Sequence, residues 1–193
     1  LPPVNKLKKI NSLLTEDVFF PSELVYSKSS QLVQLSTIVD KEILFPNEYP
    51  YTSSTTKILR ENFKELYKDC NKIIDISSKD LVIDIGSNDG NLLNNFKEKH
   101  RVLGITPEKI GKIAIKKGIP TLIKYFDKAT ANLVLKNYGK AKVITATNVF
   151  AHIENVKQLM SNILKILDRD GVFISESHYL ASLIKTGADS CVP

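Results

Sequence analysis

From Leu81 to Glu176 short apolar runs alternate with longer segments of helical spacing, and this alternation constrains the fold more than any other feature. The strand candidates are Leu81 to Ile85, Arg101 to Ile105, Thr121 to Ile123, Val143 to Thr145 and Val172 to Glu176. Between them the spacing predicts helices over 91–97 and 107–117, then one that Asp127 can cap and Gly139 can end. The last helix runs over 154–168, where Val156, Leu159, Met160, Ile163, Ile166 and Leu167 fall on one stripe. Asp170-Gly171 then turns the chain into the fifth strand. Crossovers between parallel strands are right-handed, so this repetition predicts a Rossmann-like α/β fold, a mostly parallel sheet with helices on both faces.

Ahead of this region, residues 1–52 hold five of the eight prolines (Pro2, Pro3, Pro21, Pro46, Pro50) and read as an irregular arm with short strands. Residues 53–193 then form the α/β domain. It opens with a helix that Ser53-Ser54 would cap and that carries Ile58, Leu59, Phe63, Leu66 and Tyr67 at helical spacing up to Asp69. Apolar runs such as Leu81-Val82-Ile83 are far shorter than the roughly 18 to 20 residues a bilayer crossing needs, so no membrane partner is expected. Leu1-Pro2-Pro3-Val4-Asn5 has no apolar leader and reads as a cut or processed start. Cys70 and Cys191 lie far apart and form no framework, which predicts a cytoplasmic chain without structural disulfides. The net charge of +6 comes mostly from scattered lysines. The nearest cluster, Lys109, Lys112, Lys116 and Lys117, is expected on the outer face of a helix, so nucleic acid is not an expected partner.

In parallel α/β sheets ligands bind beyond the carboxyl ends of the strands, and the first strand-to-helix turn approaches them most closely. Here that turn is Gly86-Ser87-Asn88-Asp89-Gly90. Gly86 and Gly90 let the backbone approach a ligand, and the helix expected at Asn91 would offer free amides. Asp84, Asn88 and Asp89 crowd the same mouth, which repels a pyrophosphate and suits a cation such as the amino group of a methionine moiety. Three residues separate the glycines, unlike the G-x-G-x-x-G of a dinucleotide site. The plainer alternative is a tight loop whose polar residues cap the next helix. Two histidines stand where chemistry would occur: His152 just after the fourth strand, and His178 beside Glu176 and Tyr179 at the end of the fifth. An imidazole titrates near neutrality and suits a general base. His100, before the second strand, reads as structural.

From Leu32 to about residue 185 the chain resembles the S-adenosylmethionine-dependent C-methyltransferases that act on nucleotide-linked keto-deoxysugars. The matching motifs are Leu32-Val33-Gln34-Leu35, Tyr49-Pro50-Tyr51-Thr52-Ser53, Asp84-Ile85-Gly86-Ser87-Asn88-Asp89-Gly90, Ala146-Thr147-Asn148-Val149-Phe150-Ala151-His152-Ile153 and Gly171-Val172-Phe173-Ile174-Ser175-Glu176-Ser177-His178-Tyr179-Leu180. The resemblance implies a class I methyltransferase fold and S-adenosyl-L-methionine as cofactor. It places the segments holding Gly86 and Asn148 on that cofactor, with Tyr51 and Ser53 closing over it. It also implies removal of a proton beside a sugar ketone and attack of the enolate carbon on the cofactor's methyl group. His152, His178, Glu176 and Tyr179 are the candidates for that chemistry, and a nucleotide sugar is the expected small-molecule substrate.

The chain departs from this family in three places. Ser27-Lys28-Ser29-Ser30-Gln31 stands where the family has a Cys-x-x-Cys stretch of a zinc module, and hydroxyls do not replace thiolates on structural zinc, so no metal is expected. Thr106 ends the second strand, where an acid usually accepts the ribose hydroxyls, and Glu108, two positions on, is the carboxylate expected to reach the ribose in its place. The family also continues past residue 193 with further catalytic groups, two strands and a sugar-binding domain, so a fragment or a shortened relative is expected. The sheet edge then left open favours a homodimer or a partner strand. Two other functions stay open: a degenerate methyltransferase fold acting as a binding module, and methyl transfer to oxygen or nitrogen of a small molecule.

Overall fold

Leu81, Val82, Ile83, Asp84 and Ile85 are all buried, as a strand covered on both faces requires. The computed structural model describes residues 19–21, 23–46, 48 and 51–186. The chain folds as two compact units, one up to Pro50 and one from Tyr51 onward.

In the first unit β1 (Leu24–Ser27) and β2 (Leu32–Leu35) form an antiparallel hairpin with Leu24 opposite Leu35. A single helical turn follows, α1 (Lys41–Leu44), where the Asp40 carboxylate accepts from the Glu42 amide. The short strands expected of the arm are therefore present. Pro2, Pro3, Tyr49, Pro50 and Cys191 lie outside the described residues.

The second unit runs α2 (Lys57–Ile73), β3 (Leu81–Ile85), β4 (Arg101–Thr106), α3 (Gly111–Lys116), β5 (Thr121–Ile123), α4 (Lys128–Asn137), β6 (Ala141–Thr147), α5 (Val156–Ile166), β7 (Leu167–Glu176) and α6 (Leu180–Thr186). Its five strands are all parallel in the order β5-β4-β3-β6-β7. The chain leaves β3 toward one edge and returns to β6 on the other side, so the crevice for a ligand opens between the carboxyl ends of β3 and β6. Alternation along β3 divides the core. Leu81, Ile83 and Ile85 pack with Ala131 and Val134 of α4 and Leu159, Ile163 and Ile166 of α5. Val82 joins Val143, Phe63 and Cys70 of α2, and Phe96 on the opposite face. This is the predicted α/β architecture with helices on both faces.

Asp127 caps α4 through the Thr130 amide at 2.7 Å, and Gly139, at φ +85°, closes it by donating to Val134 O, as expected. Five local expectations need correction. The helix after Ser53-Ser54 has Thr56 as its N-cap, and Ser53 sits in a separate 3-10 turn, because its hydroxyl is drawn to Asp89. The helix expected over 91–97 shrinks to a 3-10 turn at Leu93–Asn95, since the Asn95 side-chain amide takes the Asn91 and Leu92 carbonyls that a longer helix would use. The third helix begins at Gly111, not Pro107, and α5 begins after an Asn155 cap. Asp170-Gly171 lies inside β7, where pairing jumps from Ala141–Leu167 to Val143–Val172, and those extra residues bulge from the ladder.

Candidate functional site

The first strand-to-helix turn is held tightly at both ends. The Gly86 and Ser87 amides both donate to Ile105 O of β4, at 2.8 and 3.1 Å. Gly86 has φ +78°, and a β-carbon there would stand 2.2 Å from Val149 Cγ2 on the loop after β6. Only glycine fits, on both counts. Between the glycines Asn88 also takes a left-handed conformation, at φ 49°.

The polar residues of this turn reach back to the segment before α2. Asn88 Oδ1 accepts from the Ser53 amide at 2.9 Å while its Nδ2 donates to Tyr51 O at 3.1 Å, and Asn91 Nδ2 donates to Ser53 O at 3.2 Å. Ser53 Oγ donates to Asp89 Oδ1 at 2.6 Å, and Lys117 Nζ meets Asp89 Oδ2 at 2.8 Å. Burial alone would raise the Asp89 carboxyl, but hydrogen bonds from Lys117, Ser53 and Ser54 and the Lys117 charge outweigh it and hold the carboxyl below its ordinary value. The carboxylate that the sequence offered to a ligand's cation therefore already has one within the protein. Tyr51 stands over the turn half-exposed, its phenol raised by partial burial and then by the Asp89 charge.

Asp84 is fully enclosed, and Thr145 Oγ1 of the neighbouring β6 donates to its Oδ1 at 2.7 Å. Burial pushes this carboxyl up to about 7 against the opposing pull of that hydrogen bond. Ser87 Oγ is buried and has no hydrogen-bond partner among the described residues. At the end of β4, Thr106 is 1% exposed and its hydroxyl donates to the Glu108 carboxylate, which is 6% exposed. Burial raises the Glu108 carboxyl, opposed by the Thr106 hydroxyl and by a backbone amide.

The rim of β6 and β7 is more open. Asn148, at φ 55°, extends the ladder by donating its amide to Glu176 O at 2.8 Å. The Glu176 carboxylate is gripped from two sides, by Asn62 Nδ2 of α2 at 3.0 Å and by Asn148 Nδ2 at 3.4 Å. His152 ends the 3-10 turn Phe150–His152, and burial, then the neighbouring His178, hold its ring below the ordinary imidazole value. A neutral ring at physiological pH is one able to accept a proton. His178 is exposed and Tyr179 is 76% exposed. The structure thus brings Tyr51, Ser53, Asn88 and Asp89 together, Asn148 with Glu176, and His152 with His178, while Tyr179 faces solvent. His100 Nδ1 bonds Ser77 O at 3.0 Å and its ring packs near Phe96, away from these clusters.

Sequence reasoning missed Thr145, Lys117 and Asn62. Thr145 is the register partner of Asp84, a relation visible only once β6 is known to lie beside β3. Lys117 looked like one surface lysine among several, and Asn62 like a polar residue on the outside of a helix.

A family profile described as "Methyltransferase domain" matches residues 57–188. The C-methyltransferase NovU of Streptomyces niveus is 26% identical over 171 residues, covering 88% of this chain and 40% of that protein. The chain therefore spans about two fifths of the length of this curated relative. Among solved structures, the plantazolicin methyltransferase BpumL, in complex with a pentazolic desmethylPZN analog and SAH, superposes with a TM-score of 0.50 at 19% identity, covering 72% of this chain and 55% of that one. The profile takes in well over half of the chain, including the glycine turn, all five strands of the parallel sheet and the His152 loop, and by that match the chain belongs to the methyltransferase-domain family.

Proposed function

We propose that the chain is an S-adenosyl-L-methionine-dependent methyltransferase whose acceptor is a carbon beside the ketone of a nucleotide-linked keto-deoxysugar. One observation carries this reading: Val149 rests on Gly86, so the loop that bears the neutral His152 is packed against the turn that would hold the cofactor. Ser87 supports the fit, since its buried hydroxyl has no partner among the described residues and a ligand would supply one. Gly86, Ser87, Asn88, Gly90 and Asn148 form the cradle, Asp84 and Asp89 shape it from within, and Tyr51 and Ser53 border it. The cofactor supplies a methyl group carried on a sulfonium, electrophilic enough for a carbon nucleophile.

His152 takes the proton from the carbon beside the acceptor's ketone, and Glu176, fixed by Asn62 and Asn148, orients the polar groups of the rim. His178 and Tyr179 lie on the solvent side, where the sugar nucleotide enters. Holding the two reactants in line provides much of the acceleration. The likeness to NovU supports a carbon acceptor. Residues 53–193 carry cofactor and chemistry, and residues 1–52 form an arm. The setting is cytoplasmic, where Cys70 stays a buried thiol. No helix among the described residues is long and apolar enough to cross a membrane. β7 ends the sheet, and pairing of that edge between two copies would make a homodimer.

The test is a titration with S-adenosylhomocysteine followed by incubation with S-adenosylmethionine and a keto-deoxysugar nucleotide. Micromolar binding and a new carbon-bound methyl group are expected. A methyl group found on oxygen or nitrogen would replace the acceptor class, and binding without turnover of any acceptor would favour a binding module.

A further inference from the structure

Ribose recognition in sheets of this topology needs a carboxylate about 20 residues beyond the glycine turn, at the end of the next strand. In this chain that place belongs to Thr106, a residue with no charge. Its hydroxyl is not turned to a backbone carbonyl of its own strand but donates to the Glu108 carboxylate, and both side chains are buried at the end of β4. A carboxylate has about four acceptor positions. Thr106 is the only side chain that donates to Glu108 among the described residues, so acceptor positions remain for a ligand. The setting is polar on one side as well: the unpartnered Ser87 hydroxyl stands over Gly104, where a β-carbon would lie 2.5 Å from it, two residues before Thr106. The same stretch of β4 anchors the glycine turn through Ile105 O, so Glu108 and the turn share one rigid support.

We infer that Glu108, held by Thr106, is the ribose-diol acceptor of this protein, displaced by two residues from the strand end. Glu108 takes the cofactor's vicinal hydroxyls, and Thr106 acts as the positioning residue that fixes one carboxylate oxygen and leaves the other for the sugar. This inference rests on the cofactor proposed above. It also explains why an acid is buried here with so little compensation: a carboxylate sealed from water is retained where a ligand completes its bonding.

The experiment is isothermal titration of the full chain, and of Glu108→Ala, Glu108→Gln and Thr106→Val, with S-adenosylhomocysteine and with its 2′,3′-dideoxyribose analogue. Hydrogen bonds to a charged group of this kind correspond to roughly 10- to 100-fold in affinity. The unaltered chain should lose about that factor on the dideoxy analogue. Glu108→Ala should lose it for S-adenosylhomocysteine while binding the dideoxy analogue as the unaltered chain does, with Thr106→Val showing a smaller loss of the same pattern. Glu108→Gln keeps the side-chain shape, and its melting curve establishes folding if the alanine variant is unstable. The inference is overturned if Glu108→Ala or a folded Glu108→Gln binds S-adenosylhomocysteine normally, if they weaken both ligands equally, or if the unaltered chain does not discriminate between the ligands. Absence of binding by the unaltered chain would overturn the cofactor proposal as well, which separates the two failures.

Discussion

At the ends of β3 and β4, Asp84, Asp89, Thr106 and Glu108 are all buried, the first two bonded to distant parts of the chain and the last two to each other; at the ends of β6 and β7, His152 is only partly covered and His178 and Tyr179 stand toward solvent. The first half of the rim is set before any ligand arrives. Its hydrogen bonds join the segment at Tyr51–Ser53 to the glycine turn and β3 to β6, so its shape is costly to alter. The second half keeps its polar side chains near water, where the proposed acceptor would be admitted. Such an asymmetry suits the proposed function, in which one fixed cofactor meets a separate acceptor.

The most severe way to break the contrast is a side chain at Gly86. In Gly86→Val the new atoms collide with Val149, and the positive φ adds about 1–2 kcal/mol of backbone strain. Binding of S-adenosylhomocysteine should fall by at least about 100-fold, on the order of 3 kcal/mol, by titration. Unchanged binding would mean that the cofactor does not use the rigid half.

On the open half, His152→Gln should leave that binding unchanged and lower kcat by roughly 10²- to 10⁴-fold, the range of general-base catalysis. As the proposed base, His152 would work only when unprotonated, and burial and His178 lower its pKa, so activity should be retained down through neutral pH and be lost below the ordinary imidazole range of about 6.5. A pH–rate profile checks this. A variant with equal losses in binding and kcat would show that the two halves are not separate.

Asp84 gives a stability test within the rigid half. Its folded pKa of about 7 lies above the ordinary 3.8, so the folded state holds the proton more tightly than the unfolded one. The resulting stabilisation is full below the ordinary value and is lost as pH rises from about 4 to about 7, by at most about 4 kcal/mol. Melting temperatures across that window should fall for the unaltered chain and stay flatter for Asp84→Asn, which keeps the Thr145 bond and has no charge to bury. A parallel pair of curves would assign the slope to another group.

The smallest effect is expected for Asp89→Asn. The amide cannot receive both Ser53 and Lys117 as an anion does, and stability should drop by about 1–3 kcal/mol in a denaturant titration. Equal stability would show that the Tyr51–Ser53 segment is held mainly by Asn88 and Asn91.

Strands were the most legible part of this chain, because Leu81 to Ile85 and Thr121 to Ile123 are mostly apolar and partly β-branched. Asp127 and Gly139 marked α4 because capping depends on residues close in sequence. The 91–97 segment misled for the opposite reason, since its helical spacing is real but Asn95 competes for the carbonyls. The glycine turn could be found from its residues and position. Its supports could not: Ser53 to Asp89, Thr145 to Asp84 and Asn62 to Glu176 join residues 36, 61 and 114 positions apart, and periodicity carries no information at that range.

Val149 occupying the space beside Gly86 has a consequence for how such sequences drift. A substitution at either position alters the room left for the other, so the two are expected to change in concert across relatives, the residue at 149 shrinking wherever 86 gains a side chain. That dependence would run between a turn near the start of the domain and a loop sixty residues later. It would tie the history of the methyl donor's seat to the history of the base.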